Sequence, residues 1–154
     1  MVDMKDFKLN FIHLCDEALF SQDGKLSLIG IFEIINVINL PSSLSRASLV
    51  FNMSVLNKNL NKVDLDITIR NSDSGEETFK LPTLTPSFTR NPKGDSNDGE
   101  VKLGIALKLE NILFKKTGKY AIDLKANSMA VGSLNFHVKL YNFYVIIFIN
   151  ECND

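Results

Sequence analysis

Asp16-Glu-Ala-Leu-Phe-Ser-Gln-Asp-Gly-Lys-Leu-Ser-Leu-Ile-Gly-Ile-Phe-Glu33 is the stretch whose reading decides the fold. Its centre, Ser21 to Lys25, is polar and holds Asp23-Gly24, a dipeptide that accepts positive φ easily and marks tight turns between strands. One strand enters this turn and another leaves it. Beyond the turn, Leu26, Leu28, Phe32 and Ile34 share one face of a period-two strand, while Ile29, Ile31 and Ile35 share the other. Apolar side chains on both faces predict a central strand covered on both sides. Gly30 interrupts the run where a bulge or a close backbone approach is expected. The strand runs out at Leu40-Pro41, since proline donates no ladder bond.

Similar strands fill the rest of the chain. Upstream, Phe7, Leu9 and Phe11 lie on one face and Ile12 and Leu14 on the other, so the first strand changes its buried side through a bulge near Phe11. Downstream, Ser42 to Arg46 reads either as loop or as a single helical turn. Leu49, Phe51, Met53 and Val55 then alternate with polar or smaller residues. Lys62 to Arg70 alternates without an error, with Val63, Leu65, Ile67 and Ile69 inward. A short strand follows from Glu76 to Leu81, and the polar run Asn91 to Gly99 reads as a mobile loop. Val101 to Leu109 is a second cleanly alternating strand. Gly118 ends a turn, Tyr120 to Ala126 forms another strand, and Asn127-Ser128 turns the chain into the one that carries Leu134, Phe136, Val138 and Leu140 inward.

Turn signals every 8–12 residues or so, no helical period and no internal repeat describe an all-β protein, an antiparallel β-sandwich of 8–9 strands. An immunoglobulin-like or C2-like Greek key is the first expectation and a jelly roll the second. The sandwich is expected over residues 1–140, with 141–154 as an apolar strand or tail of the same domain or of an oligomer contact.

The composition of the 154 residues narrows function more than it names it. At 45% hydrophobic and 23% charged the chain has an ordinary globular balance, and a domain of this length buries about 70% of its unfolded surface without needing metal or disulfide. Seventeen basic against eighteen acidic side chains give a formal charge of −1. That balance is unlike the basic footprint of a phosphate-backbone binder, so nucleic acid is not expected as a partner. Two cysteines, Cys15 and Cys152, make no disulfide framework, and the amino terminus lacks a secretory pattern; a reducing, cytoplasmic setting is expected. The longest apolar run has seven residues against the ~20 that a membrane-spanning helix needs.

No catalytic motif stands out. His13 and His137 fall on different strands without metal-ligand spacing; the first reads as a core or interfacial histidine and the second as a solvated one. Cys15, in an apolar strand, reads as a small inert hydrophobe. Acidic residues are the one constellation to weigh: Asp64, Asp66, Asp73, Glu76, Glu77, Asp95, Asp98 and Glu100 could offer oxygen ligands to calcium at one end of a sandwich, although they lack the spacing of a known calcium loop. Phosphate-binding glycine loops are absent. The chain is therefore expected to be no enzyme and to hold no cofactor.

The order LCDEALFSQDGKLSLIGIFEIINVINLP, then VDLDITIRNSDSGEE, then TGKYAIDLKANSMAVGSLNFHVKL resembles a bacterial family of small single-domain proteins of unknown function. The resemblance covers Phe11 to Leu140 and rests on glycines, turn residues and inward aliphatics. It implies a β-sandwich and carries over no active-site residue. The chain beyond Leu140 departs from it.

That departing tail carries the expected partner site: Phe143, Tyr144, Val145, Ile146, Ile147, Phe148 and Ile149 form an uncharged run of high β-propensity that aggregates if an edge exposes it. Such a run is either the last strand of its own domain or pairs with another chain. The functional expectation is a non-enzymatic binding or assembly module that engages a protein partner, or itself, through a sheet edge, its loops or this tail. The alternative is a C2-like or lectin-like module binding calcium, lipid headgroups or carbohydrate through its loops.

Overall fold

The computed structural model describes residues 6–90 and 100–141. Nine strands are found among them: β1 Phe7–Phe20, β2 Leu26–Ile31, β3 Ile34–Val37, β4 Ser42–Val55, β5 Leu65–Asn71, β6 Glu77–Lys80, β7 Val101–Phe114, β8 Gly118–Ala126 and β9 Met129–Leu140. They form two sheets, a four-stranded one in the order β2-β1-β4-β7 and a five-stranded one in the order β3-β9-β8-β5-β6. The fold is an all-β sandwich. One pairing departs from the antiparallel expectation, because β3 runs parallel to β9, with Ile34 beside His137 and Val37 beside Leu140.

The alternating sequences place the core between the sheets. Leu49, Phe51, Met53 and Val55 of β4 face Leu65, Ile67 and Ile69 of β5 and Ile122 and Leu124 of β8, all of them buried. Burial of this many large aliphatics is the main stabilising term for the domain. At one end of the core, Phe114, Tyr120 and Phe136 pack as a trio with ring centroids 5.1, 5.6 and 6.0 Å apart. The Tyr120 hydroxyl donates to the Lys116 carbonyl at 2.7 Å, so its polar end is satisfied inside the cluster.

Two strands keep their inward faces by local irregularities. In β1 the register with β4 shifts between Leu9 and Phe11, as the change of buried face requires. The extra residue, Asn10, turns outward and donates to Asn52 Oδ1 at 2.7 Å and Ser54 Oγ at 2.9 Å. In β7, Asn111 adopts a φ of 56°, and the buried parity passes from Leu109 to Ile112 and Phe114. At the β8–β9 turn, Asn127 and Ser128 have φ of 48° and 65°, the doubly left-handed geometry whose twist matches that of the flanking strands.

Several expectations change. Ser42 to Arg46 is part of β4, paired with Phe114 to Glu110 of β7, and no helical turn forms there. The central strand expected from Leu26 to Leu40 is two strands on two edges: β2 borders the four-stranded sheet and β3 the five-stranded one. The chain crosses between them at Phe32 and Glu33, whose backbone groups bond Leu14 on one sheet and His137 on the other, at 3.0 and 2.8 Å. The loop expected over 91–99, and all of the tail expected over 141–154 except Tyr141, lie outside the described residues.

The Asp23-Gly24 turn forms as the sequence predicts. Gly24 has a φ of +81° and its amide donates to the Ser21 carbonyl at 3.0 Å. A Cβ at Gly24 would meet no atom within 4 Å, so the cost of a side chain there is purely conformational. Gly24→Val is expected to lose about 1 kcal/mol or more in chemical denaturation; an unchanged midpoint would rule out the left-handed turn.

Candidate functional site: an apolar ribbon at the sheet edge

The position of β2 follows from how far its partners reach. β1 pairs with β4 only from Phe7 to Cys15, whereas its far half, Cys15 to Phe20, pairs with Ile31 to Leu26 of β2. Beyond Cys15 the two strands form a ribbon with no third strand beside it among the described residues. Ser21 to Lys25 close its tip. The Lys25 amide donates to Ser21 Oγ at 3.0 Å and the Lys25 ammonium lies 3.0 Å from Asp23. The Ser21 hydroxyl, bonded to Asp23, and then Lys25 hold the Asp23 carboxyl below its usual range.

Apolar side chains stand open on both faces of this ribbon, beside the exposed carboxylates of Asp16 and Glu17 on β1. Outward, Leu19, Ile29 and Ile31 are 47%, 50% and 55% exposed. On the inward face Phe20 is 55% exposed and Ala18, Leu26 and Leu28 are half-buried. None of these four packs on the hydrophobic core. The inward parity is that of Leu14, which is core. A groove of about 320 Å³, lined by Asp16, Gly30, Ile31, Phe32, Ile34, Ile35 and Leu44, separates the ribbon from β3. Ile34, which lines this groove, is exposed.

The four edge strands differ in how they are guarded. Sheet edges are normally blunted by charge, proline, shortness or bulges, because their unpaired backbone groups recruit other strands. β7 carries Lys102, Lys108 and Glu110; β6 is four residues long and bounded by Glu77 and Lys80; β3 is also four residues. β2, Leu-Ser-Leu-Ile-Gly-Ile, has no charge and no proline over six residues. Its one irregularity is Gly30, at a φ of +66°, with the Asp16 carboxylate filling the place of a Cβ.

The residues singled out in the sequence are scattered around this site. His13 lies on the outward face of β1, half-buried and stacked on Phe11 with centroids 5.8 Å apart. His137 is exposed on β9. Cys15 is buried at the base of the ribbon, its thiol donating to the Ser48 carbonyl at 3.7 Å; burial, helped by the charge of Asp16, pushes the thiol above its ordinary pKa. Asp64 and Asp66 accept hydrogen bonds from the hydroxyls of Thr85 and Thr83 at 2.8 and 2.6 Å. Glu76 and Glu77 share a groove with Lys115 and Lys116 away from the ribbon. No three His, Cys, Asp or Glu side chains gather into a potential metal site among the described residues, and Asp95 and Asp98 fall outside them. Phe143 to Ile149, the expected partner-binding run, also lie outside the described residues. No helix among those residues is long and apolar enough to cross a membrane.

Nothing in the sequence marked Leu19, Phe20, Ile29 and Ile31 as a surface. Ile29 and Ile31 instead read as part of a strand covered on both faces.

A search among curated proteins finds no match. Among solved structures, the chain is similar to an alkylpurine DNA glycosylase, AlkC of Pseudomonas fluorescens, bound to DNA containing an abasic site analogue. The TM-score is 0.52 at 14% identity, over 87% of this chain and 30% of that one, so the chain spans less than a third of that protein's length. A likeness at this identity concerns the fold. It nevertheless corrects two exclusions drawn from composition, that the chain is no enzyme and that nucleic acid is not a partner. A sandwich of this kind forms part of a DNA-bound glycosylase, so neither a near-neutral charge nor a missing motif excludes those classes. The model of a family of unknown function matches residues 10–139, nearly the span of the resemblance read from the glycines and turns, and the chain belongs to that family, DUF6941.

Proposed function

We propose that this protein is a binding or assembly module whose β1–β2 ribbon engages a protein partner by strand addition along β2. The observation that carries the reading is the open, uncharged β2 edge with apolar side chains on both of its faces. An added strand gains main-chain hydrogen bonds along such an edge, and alternate side chains supply specificity. The apolar surface it covers supplies affinity, since exposed apolar patches of this kind mark interaction sites. Opposite it, the outward face of the five-stranded sheet is polar, crossed by an ion pair between Arg70 and Asp123 at 2.6 Å, and suits solvent. We place the protein in the cytoplasm, where Cys15 stays a free thiol.

A photo-crosslinking residue in place of Ile29 tests this in the producing cell. The expected result is a discrete protein adduct from position 29, none from position 68 on the polar face, and loss of the position-29 adduct when Ile31→Lys is added. Because Ile31 is more than half exposed, Ile31→Lys should change stability by less than about 0.5 kcal/mol. Equal adducts from positions 29 and 68, or an adduct indifferent to Ile31→Lys, would overturn the reading.

A further inference from the structure

The groove that Glu76 and Glu77 share with Lys115 and Lys116 has a volume of about 250 Å³ and draws none of its lining from the ribbon. It contains one nearly buried polar group, Asn71 at the end of β5, 7% exposed. The Asn71 amide donates to the Glu76 carbonyl and its carbonyl accepts from the Gly75 amide, both at 2.8 Å. Its side-chain oxygen accepts the amides of Asp73 and Ser74 at 2.9 and 3.1 Å. Those two bonds identify the oxygen, so the remainder of the head group is an NH2 with two donors. Among the described residues these donors have no partner. The turn uses only the oxygen, which an aspartate would supply equally well. The amide nitrogen is surplus to the turn, and a nearly buried donor without a partner calls for one.

The walls of the groove carry opposite charges. Glu76 and Glu77 come from the β5–β6 side, Lys115 and Lys116 from the turn between β7 and β8. Among the described residues none of the four enters an ion pair, so two carboxylates and two ammonium groups are left facing one small space. Both walls are fixed: the Ser72 amide donates to the Lys119 carbonyl at 2.8 Å, and the Tyr120 hydroxyl to the Lys116 carbonyl at 2.7 Å. Leu113, 45% exposed, adds an apolar patch. Sites for drug-sized molecules begin near 300 Å³, so this groove suits something smaller.

We propose that the groove binds a small zwitterion with an aliphatic body, a free amino acid or a dipeptide. Its carboxylate accepts from the Asn71 amide nitrogen and lies beside Lys115 and Lys116; its ammonium faces Glu76 and Glu77; its side chain covers Leu113. Charge-assisted bonds at both ends give the site its selectivity for a molecule carrying both charges. The proposal is independent of the ribbon and of strand addition.

Nuclear magnetic resonance titration of the full chain tests it, with alanine, valine, leucine, isoleucine and the glycyl dipeptide of each as probes. At least one probe is expected to move the amide resonances of residues 71–78 and 113–120 in a saturable way. The N-acetylated and the C-amidated forms of that probe should each bind about tenfold more weakly or worse, the loss that goes with one bond to a charged group. Asn71→Asp keeps the oxygen that the turn needs and removes the donor, so it should abolish the response. Should that variant fail to fold, the exposed pair Lys115→Gln and Lys116→Gln supplies the same reading in a folded protein. The proposal is overturned by silence from the whole panel, by blocked forms that bind as tightly as the free one, by shifts that map elsewhere, or by a response undiminished in a folded variant.

Discussion

Phe114→Ala is expected to cost about 3–5 kcal/mol, the range for truncating a fully buried phenylalanine. Phe114 is 1% exposed and packs edge-on against both Tyr120 and Phe136. Alanine removes the transferred apolar surface and leaves a cavity between two rings that come from the opposite sheet. Those rings are constrained, Tyr120 by its bond to the Lys116 carbonyl, so the site collapses poorly and the cavity term persists. For a domain of this size each kcal/mol shifts the midpoint by about 2–4 °C, which puts the expected loss near 10 °C. Urea unfolding monitored by tyrosine fluorescence measures it. A loss below about 1 kcal/mol would show that the trio is loosely packed and that the two sheets are not keyed together at this end.

Gly30→Ala is expected to cost about 2 kcal/mol from two separable sources. The first is the φ of +66°, which penalises any residue with a Cβ. The second is the Asp16 carboxylate, which occupies the position that Cβ would take. Asp16→Ala in the same chain removes only the second source. The double variant should therefore recover about half of the loss, a non-additivity that contacting residues show and distant ones do not. Full additivity in a denaturation cycle would mean that the carboxylate swings aside freely and that backbone conformation alone demands glycine.

How legible all this was can be argued from the same eighteen residues. The turn at Asp23-Gly24, the special role of Gly30 and the two flanking strands followed from φ preferences and period-two alternation, which act over a few residues. The bulge near Phe11 and the clean strands Lys62 to Arg70 and Val101 to Leu109 were readable for the same reason. What was misread is where β2 sits. Alternation reports that Ile29, Ile31, Leu26 and Leu28 avoid water; it does not report whether their own domain or another chain excludes it. Strand order likewise depends on pairings between distant residues, so the split at Phe32–Glu33 and the parallel β3–β9 pair had no local signal. The error locates the candidate site, because the residues that looked like core and lie at an edge are the ones left to be covered.

The wiring of the two sheets also bears on how the chain reaches this structure. In the five-stranded sheet, β8 and β9 are joined by a two-residue turn at Asn127 and Ser128, and Ala126 pairs with Met129. In the four-stranded sheet, β4 and β7 pair Val55 with Val101 and Ser42 with Phe114, spans of 46 and 72 residues. Closing loops of that length costs chain entropy before any contact repays it. The β8–β9 hairpin is therefore expected to form early, on the microsecond scale of isolated hairpins, and the long-range pairing of β7 with β4 to form later.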